Sequence, residues 1–347
     1  VFYLTDEDKL KYSRYQAIAG LKQNIQDKFY ENAETVSKSL AFIMKTQLIK
    51  RLESSFYAFK KSLGNFQTAT DRMIAMFEND KIFIAPDTNV NKLLNDGWSQ
   101  EDIETYIERL SEENPKNQTF KSADFKDGFI ESLKKDAKLL IELVKGWDSI
   151  AHDPKLDVFL VQLNKQFLNK KTNAEGKLVI FSESKDTVDY LAKALEDAGN
   201  NDVLVISAVN RKQMYDSIVT NFDANWAADK QVNNYNIIIT TEVLAEGVNL
   251  HRSNVVIHYD TPWNSTKLMQ RIGRVNRIGT KASTIYNYVF YPSAQGDSQI
   301  QLNKTAFMKI QAFHTAFGED NQVFSTEGIL DDVKLFSGDY KEEEEER

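Results

Sequence analysis

The second half of the chain alternates short apolar runs with helical stretches, and this alternation constrains its fold more than any other feature. Strand-like runs lie at 178–181, 203–207, 235–240, 255–259 and 283–291, and helical patterns lie between them at 185–198, 211–222 and 265–275. Strands of a parallel sheet are apolar along their whole length, because helices cover both faces of the sheet. The sequence therefore predicts an α/β domain with a parallel sheet and helices on both faces.

Polar residues stand where several of these predicted strands end. Ser182, Thr240 and Asp260 each occupy such a position. Open α/β sheets bind their ligands in the crevice beyond the carboxyl ends of the strands. We therefore expect the functional residues of this domain to lie at this edge of the sheet.

The first half of the chain is mostly helical in pattern. Residues 5 to about 80 have apolar residues at helical intervals, and the stretch from Leu40 to Leu63 is predicted as one helix. A further helix is predicted from Phe125 to Trp147, whereas the polar stretch 87–120 is expected to be irregular, with short helices. This half is therefore expected to form a separate, mostly helical domain before the sheet.

These patterns divide the chain into three parts. We expect a helical region at 1–150, the α/β domain at 151–318 with a last helix at 297–317, and a C-terminal extension at 319–347. Five consecutive glutamates near the end of the chain repel one another, so this extension is expected to be partly disordered.

Composition excludes several kinds of site. The absence of cysteine rules out disulfides, thiolate catalysis and cysteine zinc sites, and the four histidines lack ligand spacing, so we expect no metal site of the chain's own. No stretch approaches the roughly 20 apolar residues of a membrane span, and the amino-terminal residues lack a signal-peptide pattern. We therefore predict a cytoplasmic protein with no membrane partner.

The net charge of −8 argues against a uniformly basic nucleic-acid-binding surface. A local basic groove is still compatible with it, because salt screens charges beyond about 10 Å. The predicted helix at 40–63 carries five basic residues, which we call the candidate basic stripe. These residues either face DNA or are simply exposed to solvent, and we favour exposure to solvent. The members of the stripe are Lys45, Lys50, Arg51, Lys60 and Lys61.

Residues 270–279, Gln-Arg-Ile-Gly-Arg-Val-Asn-Arg-Ile-Gly, carry the strongest functional signal. They place Gln270, Arg274 and Arg277 at short, regular intervals. A guanidinium group stays protonated and offers a planar fork of donors to phosphate oxygens. The spacing therefore indicates a site for the charge of a transferring phosphoryl group. The alternative for Arg274 and Arg277 is that they form ordinary ion pairs. For Arg271 we expect pairing with an acid of its own helix.

A second motif at 240–250 precedes this run. Gly247 permits a close backbone approach, and Asn249 offers an amide that can hydrogen-bond a hydroxyl group, or else it forms a turn. Thr240 and Thr241 can present donors to a nucleic-acid phosphate, or else they cap the strand end. We assign no role to Glu246.

Lys177–Ser182, Thr241–Leu250 and Gln270–Arg277, in this order, resemble the second motor lobe of superfamily-two helicases. Residues 260–264, Asp-Thr-Pro-Trp-Asn, are most similar to the Swi/Snf-like ATPases, in the bacterial branch that includes the RNA-polymerase-associated ATPase. The resemblance covers about 155–317 and implies a RecA-like sheet. Residues 1–150 would then correspond to the protrusion and linker between two motor lobes.

The same resemblance implies roles in ATP hydrolysis and DNA binding, with double-stranded DNA as the expected nucleic acid. In this family the second lobe supplies arginine fingers, which accelerate hydrolysis by about 10³- to 10⁵-fold. The implied catalytic residues are Arg277 and Arg274, the implied nucleotide-binding residues are Gln270, Gly247 and Asn249, and the implied nucleic-acid contacts are Ser182, Thr240, Thr241 and Arg211.

The sequence contains no Gly-x-x-x-x-Gly-Lys-Ser/Thr loop, which would cradle the phosphates of ATP and its Mg²⁺. We therefore expect this chain alone not to hydrolyse ATP, and we expect the loop and the Mg²⁺ ligands to come from an N-terminal RecA-like lobe of the same protein. The alternative is a degenerate module that binds nucleic acid or a protein without hydrolysis. If the protein consisted of this chain alone, it would fit that alternative better.

Overall fold

A mostly helical region precedes a five-stranded sheet in the computed structural model, which describes residues 9–85, 100–262, 265–294 and 296. The helices of the first region are α1 (Ala17–Gly20), α2 (Gln23–Phe29), α3 (Ala33–Ser54), α4 (Phe56–Glu78), α5 (Gln100–Glu113) and α6 (Phe129–Asp148). Two short antiparallel strands, β1 (Ile82–Ile84) and β2 (Gln118–Phe120), lie among them.

The second region is a parallel sheet. Its elements are α7 (Pro154–Gln162), β3 (Leu178–Phe181), α8 (Lys185–Asp197), β4 (Val203–Ile206), α9 (Tyr215–Phe222), β5 (Ile237–Thr240), β6 (Val255–His258), α10 (Ser265–Val275) and β7 (Tyr286–Val289). The strand order is β4-β5-β3-β6-β7, and each neighbouring pair is parallel. This topology confirms the predicted RecA-like α/β fold preceded by a helical region.

The two faces of the sheet bury separate hydrophobic clusters. Successive side chains of a strand point to opposite faces, so Leu178 and Ile180 pack with α7 and α8, whereas Val179 and Phe181 pack with α9 and the end of α10. Every residue of β3, β5 and β6 is buried. Helices on both faces therefore explain why these runs are apolar throughout.

The predicted helix at 40–63 is two helices, because the chain turns at Ser55. Its backbone is extended (φ −161°, ψ 154°), and its hydroxyl accepts a hydrogen bond from the Ala58 N–H at 3.1 Å, which caps α4. The helical spacing of apolar residues continues across the break, so periodicity alone did not reveal it.

Two further boundaries differ from the sequence predictions. The stretch 100–113 forms the single helix α5, with Ile107 buried, instead of several short helices. Helix α9 begins at Tyr215 and not near Arg211, because the Asn210 side chain accepts from the Ser207 N–H at 2.8 Å and donates to the Val205 carbonyl at 2.9 Å. Such local bonds compete with helix formation. The predicted helix at 297–317 and the extension at 319–347 lie outside the described residues.

A buried polar network joins the end of α3 to the carboxyl edge of the sheet. Asp260, at the end of β6, accepts hydrogen bonds from Ser54 Oγ at 2.7 Å, from Ser182 Oγ at 2.6 Å and from the Glu183 N–H at 2.8 Å. Buried carboxylates are tolerated when hydrogen bonds satisfy them. This network fixes the helical region against the strand ends where the functional residues were expected.

Arg51, Lys60 and Lys61 of the candidate basic stripe bind acceptors within the protein. Arg51 and Lys61 both reach Asp186 of α8, at 3.6 and 2.7 Å, and Lys60 donates to the Ile150 carbonyl at 2.5 Å. Arg51, Lys60 and Lys61 therefore help to hold the helical region in place. The sequence analysis considered only DNA binding or exposure to solvent for these residues.

Two buried lysines carry lowered pKa values. Burial lowers the pKa of Lys155 to about 8, although Asp260 and Glu53 oppose the shift, and its amine donates to the Glu53 and Ser54 carbonyls at 2.6 and 3.0 Å. Burial, followed by the charge of Arg252, likewise lowers the pKa of Lys177 to about 8. Both amines are therefore partly neutral near pH 8.

We expect the free energy of unfolding to rise as pH increases from about 8 to 10. The unfolded chain keeps lysine pKa values near 10.4, so over this window it binds more protons than the folded chain and stability increases with pH. Urea unfolding across this range should show the rise, and Lys155→Met with Lys177→Met should flatten it. A stability that falls with pH between 8 and 10 in the unmodified chain would contradict the prediction.

None of the helices within the described residues combines the length and hydrophobicity that crossing a bilayer requires.

Candidate functional site

Helix α10 divides the residues of the 270–279 motif between the core and the surface. Its inward face carries Leu268, Arg271, Ile272 and Val275, all buried. Gln270 and Arg274 lie one turn apart on another face and are half-buried, and Arg277 follows the helix and is exposed. The helix thus presents Gln270, Arg274 and Arg277 outside the core, beside the loop that follows β5.

The loop at 245–249 brings the second motif against this helix. The Glu246 carboxylate accepts a hydrogen bond from Gln270 Nε2 at 3.0 Å, and the Glu246 carbonyl accepts from Arg211 Nη2 at 2.7 Å. Gly247 has φ +77°, a conformation that favours glycine. Arg211, Glu246, Gly247 and Gln270 therefore lie side by side, although the sequence analysis assigned Arg211 to nucleic acid, Gly247 and Gln270 to the nucleotide, and no role to Glu246.

Arg277 and Asn249 are also joined directly. Arg277 Nη1 donates to the Asn249 Oδ1, and Asn249 Nδ2 donates to Asp223 Oδ2 at 3.0 Å. Asp223 follows α9 and is 8% exposed. The sequence analysis did not find Asp223, because its role depends on a contact with a residue 26 positions away.

The guanidinium groups of Arg274 and Arg277 have no carboxylate within 4.0 Å among the described residues; Arg274 makes only long contacts, at 3.5 Å, with the carbonyls of Gln270 and Val248. Burial lowers the pKa of Arg274, and the nearby charge of Arg277 lowers it further, against the opposing effect of Glu246. Two cations that repel each other favour an anion between them.

Arg271 has a different role from the other two arginines. It is fully buried, pairs with Glu242 in the turn after β5, and lies with its guanidinium carbon 5.2 Å from the centroid of the Phe181 ring. The prediction that Arg271 pairs with an acid of its own helix was wrong. Its spacing from Leu268 and Val275 was the signal for an inward position, because residues three and four apart share a helix face.

The strand-end residues predicted to contact nucleic acid lie together at the carboxyl edge. Ser182 and Thr240 are fully buried: Ser182 donates to Asp260, and Thr240 Oγ1 donates to the Thr241 carbonyl at 3.1 Å. Thr241 is half-buried and begins the turn Glu242–Leu244. Their contact with nucleic acid stays a prediction, and of the four residues only Thr241 and Arg211, both half-buried, reach the surface.

This donor set suits a polyphosphate better than a metal ion. Guanidiniums and amides donate hydrogen bonds, whereas Mg²⁺ requires oxygen ligands. The carboxylates of Glu246 and Asp223, which contact this set, already accept hydrogen bonds from Gln270 and Asn249. In the described part of the chain, no three His, Asp or Glu side chains are arranged to hold a metal.

Residues 159–279 match the family model of the helicase conserved C-terminal domain. This match confirms, over this segment, the predicted resemblance to the C-terminal lobe of helicases. The chain is 26% identical over 196 residues to an uncharacterized ATP-dependent helicase, YqhH, of Bacillus subtilis strain 168, and 31% identical over 119 residues to a probable eukaryotic initiation factor 4A of Trypanosoma cruzi strain CL Brener. These matches cover 54% and 34% of the chain.

The chain spans a third or less of these relatives' lengths, 33% and 27%. Among solved structures, it is similar to the C-terminal part of the Fun30 ATPase domain, at 18% identity and a TM-score of 0.34, over 86% of both chains. It is also similar to the Pyrococcus furiosus Hef helicase domain, at 14% identity and a TM-score of 0.38, over 81% of this chain and 46% of the other.

We expect Gly247→Ala to destabilise the chain by about 1–2 kcal/mol, because an L-residue is strained at positive φ. A Cβ atom would also lie 2.6 Å from Arg211 Nη2 and displace that side chain from the Glu246 carbonyl. Gly146→Ala is the matched control: it lies in α6 with open space around it, and should stabilise by up to about 1 kcal/mol. Urea unfolding of both variants tests this, and equal effects would contradict it.

Proposed function

We propose that this chain is the C-terminal motor lobe of an ATP-driven translocase on double-stranded DNA, in the Swi/Snf-like group and its bacterial branch. The observation that carries the proposal is the pair of arginines, Arg274 and Arg277, without carboxylate partners among the described residues and beside Gln270, Gly247 and Asn249. A purely structural pair of arginines would be expected to be neutralised by acids, as Arg271 is by Glu242.

In this proposal the lobe completes an ATPase site held mainly by a second, N-terminal RecA-like lobe. That lobe supplies the phosphate loop and the Mg²⁺ ligands, and closure of the two lobes brings Arg277 and Arg274 to the triphosphate. Water attacks the γ-phosphorus and ADP leaves, while the two guanidiniums stabilise the negative charge on the transferring group. Arg277 keeps its Nη1 on Asn249 and offers its remaining N–H groups to a phosphate oxygen, a charge-assisted acceptor.

The nucleic-acid track is proposed at the carboxyl edge of the sheet. Arg211 and Thr241 would contact backbone phosphates, and Ser182 and Thr240 would shape the strand ends beneath them. Phosphate contacts position a strand without reading its sequence. The preference for DNA over RNA rests on the resemblance of residues 260–264 to Swi/Snf-like ATPases, of which Trp263 and Asn264 lie outside the described residues.

The remaining parts of the chain follow from the same proposal. Residues 1–150 would form the protrusion and linker between the lobes, 151–318 the motor lobe, and 319–347 an extension. The contacts of Ser54 with Asp260 and of Lys61 with Asp186 support a linker that moves together with this lobe. In the proposed bacterial branch, ATP and DNA meet in the cytoplasm, so the proposal includes a cytoplasmic location.

The test is the ATPase rate of the native protein that contains this chain, measured without nucleic acid, with duplex DNA and with duplex RNA. We expect stimulation by duplex DNA above that by RNA, and no hydrolysis by residues 1–347 alone. Stimulation by RNA alone would redirect the proposal to an RNA helicase. Binding of nucleic acid without any hydrolysis by the native protein would favour a degenerate binding module instead.

A further inference from the structure

Asp223 lies in a fixed position close to Asn249, the residue that contacts the exposed Arg277. It ends α9, and its Oδ1 accepts a hydrogen bond from the Asn225 N–H at 2.9 Å, which holds the carboxylate in a local turn. Its Oδ2 accepts from Asn249 Nδ2 at 3.0 Å. Both carboxylate oxygens are therefore engaged, and the second one points at the residue that binds Arg277.

The contact with Asp223 determines which way the Asn249 amide faces. A carboxylate only accepts hydrogen bonds and a guanidinium only donates them, whereas an amide has one end of each kind. With its NH₂ group on Asp223, Asn249 can present only its oxygen to Arg277. A reversed amide would place its NH₂ group against the guanidinium and lose both bonds.

His251 closes the other side of Asp223. It is 1% exposed, its Nδ1 lies 3.6 Å from Asp223 Oδ1, and neither ring nitrogen has a hydrogen-bond partner among the described residues. Burial lowers the pKa of His251, and the charge of Arg277 lowers it further, against the opposing effect of Asp223. A neutral imidazole leaves the negative charge of Asp223 available to the Asn249 amide.

We infer that Asp223 is a positioning residue for the arginine finger: through the Asn249 amide, it holds the Arg277 guanidinium in one orientation before a triphosphate arrives. The inference rests on the proposed function, because it requires Arg277 to act on a phosphoryl group. Holding the guanidinium in place in advance avoids the entropy cost of ordering it during the reaction. A misplacement of about 1 Å in a catalytic group can lower the rate about 100-fold. The neutral amide between Asp223 and Arg277 keeps the guanidinium free of a directly competing carboxylate.

The first test measures ATP hydrolysis by the native protein with Asp223→Ala, Asp223→Asn and Arg277→Ala. We expect Asp223→Ala to lower kcat by about 10- to 100-fold, with a smaller change in KM for ATP. Asp223→Asn keeps only one of the two acceptor oxygens that Asp223 uses, and its NH₂ group would face either the Asn225 N–H or the Asn249 NH₂ group, so it should restore only part of the loss. In the Arg277→Ala background, Asp223→Ala should have no further effect, because residues that act through one group are not additive.

The matched control is Asp202→Ala. Asp202 also accepts a hydrogen bond from an asparagine amide, Asn236 Nδ2 at 2.6 Å, but it precedes β4, at the amino edge of the sheet. We expect its removal to leave kcat unchanged. A similar loss of kcat in both aspartate variants, or a loss for Asp223→Ala that persists in the Arg277→Ala background, would mean that Asp223 is merely structural and would overturn the inference.

A second measurement needs no ATPase activity. In residues 1–347, the NMR order parameter of the Arg277 Nε–H should fall in Asp223→Ala, while that of the ion-paired Arg271 should not change. An unchanged Arg277 order parameter would overturn the inference even with the motor intact. If Arg277→Ala leaves ATP hydrolysis unchanged, the finger role fails and the inference falls with it. If only Asp223→Ala is without effect, the proposed function stands and the inference alone fails.

Discussion

Arg277→Ala should reduce DNA-stimulated ATP hydrolysis by the native protein about 10³- to 10⁵-fold, the range measured when arginine fingers are removed. Arg277 is exposed, it follows the last turn of α10, and its contact among the described residues is a neutral amide oxygen. Removing it therefore leaves no buried charge behind, and the thermal midpoint of the chain should stay nearly the same. The loss should appear in kcat, because the guanidinium acts on charge that develops during the reaction.

The charge-matched control for this variant is Lys281→Ala. Lys281 is an exposed cation four positions after Arg277, so its removal changes the net charge equally. We expect it to retain near-normal hydrolysis. Arg277→Lys should stay strongly impaired, because an ammonium group lacks the planar fork of a guanidinium. Normal kcat in Arg277→Ala would contradict the proposed finger, and a matching loss in Lys281→Ala would assign the effect to overall charge.

The sheet was predictable from sequence because its central strands are buried on both faces. The runs at 178–181 and 255–259 are apolar at nearly every position, as expected for strands with helices on both sides of the sheet. The structure has strands at Leu178–Phe181 and Val255–His258. The strand order β4-β5-β3-β6-β7 was not readable in this way. Periodicity reports which face of an element is buried, but not which element lies beside it.

The candidate site was predictable to the extent that its residues belong to local motifs. Gln270, Arg274 and Gly247 were proposed from local spacing, from the backbone freedom of glycine and from the family resemblance, and the structure places them near one another, while their roles stay predictions. Glu246 and Asp223 were missed because each acts through one contact made after folding, with Gln270 and with Asn249. An isolated acidic residue in a loop has no sequence pattern that distinguishes such a role from a solvated one.

Arg271→Ala should be the most destabilising single substitution discussed here, at about 2–4 kcal/mol, because it removes a fully buried side chain and one partner of an ion pair whose other partner, Glu242, is partly exposed. Arg271 is 0% exposed and pairs with Glu242, and its guanidinium lies against the Phe181 ring. Truncation leaves the Glu242 carboxylate without its partner and opens a space within the core beneath α10. Urea unfolding of residues 1–347 measures the loss.

The double variant Arg271→Met with Glu242→Gln separates the two contributions to that cost. Methionine refills the space with a flexible apolar side chain, and glutamine removes the unpaired charge. Buried pairs replaced by well-packed neutral residues often lose little stability, so we expect the double variant to recover most of the loss. A double variant as unstable as Arg271→Ala would show that the ion pair itself, and not the unpaired carboxylate, stabilises the fold.

The exposed pair of Lys193 with Asp197 on α8, at 2.8 Å, provides the surface comparison. Exposed ion pairs contribute only about 0–1 kcal/mol, because water already solvates both charges. Lys193→Ala should therefore change the free energy of unfolding several-fold less than Arg271→Ala does. Equal effects at the two sites would contradict the view that burial determines the cost. The contrast also explains how one short helix divides its arginines: the buried Arg271 secures α10 to the sheet through Glu242, which leaves Arg274 and Arg277 available for a phosphate.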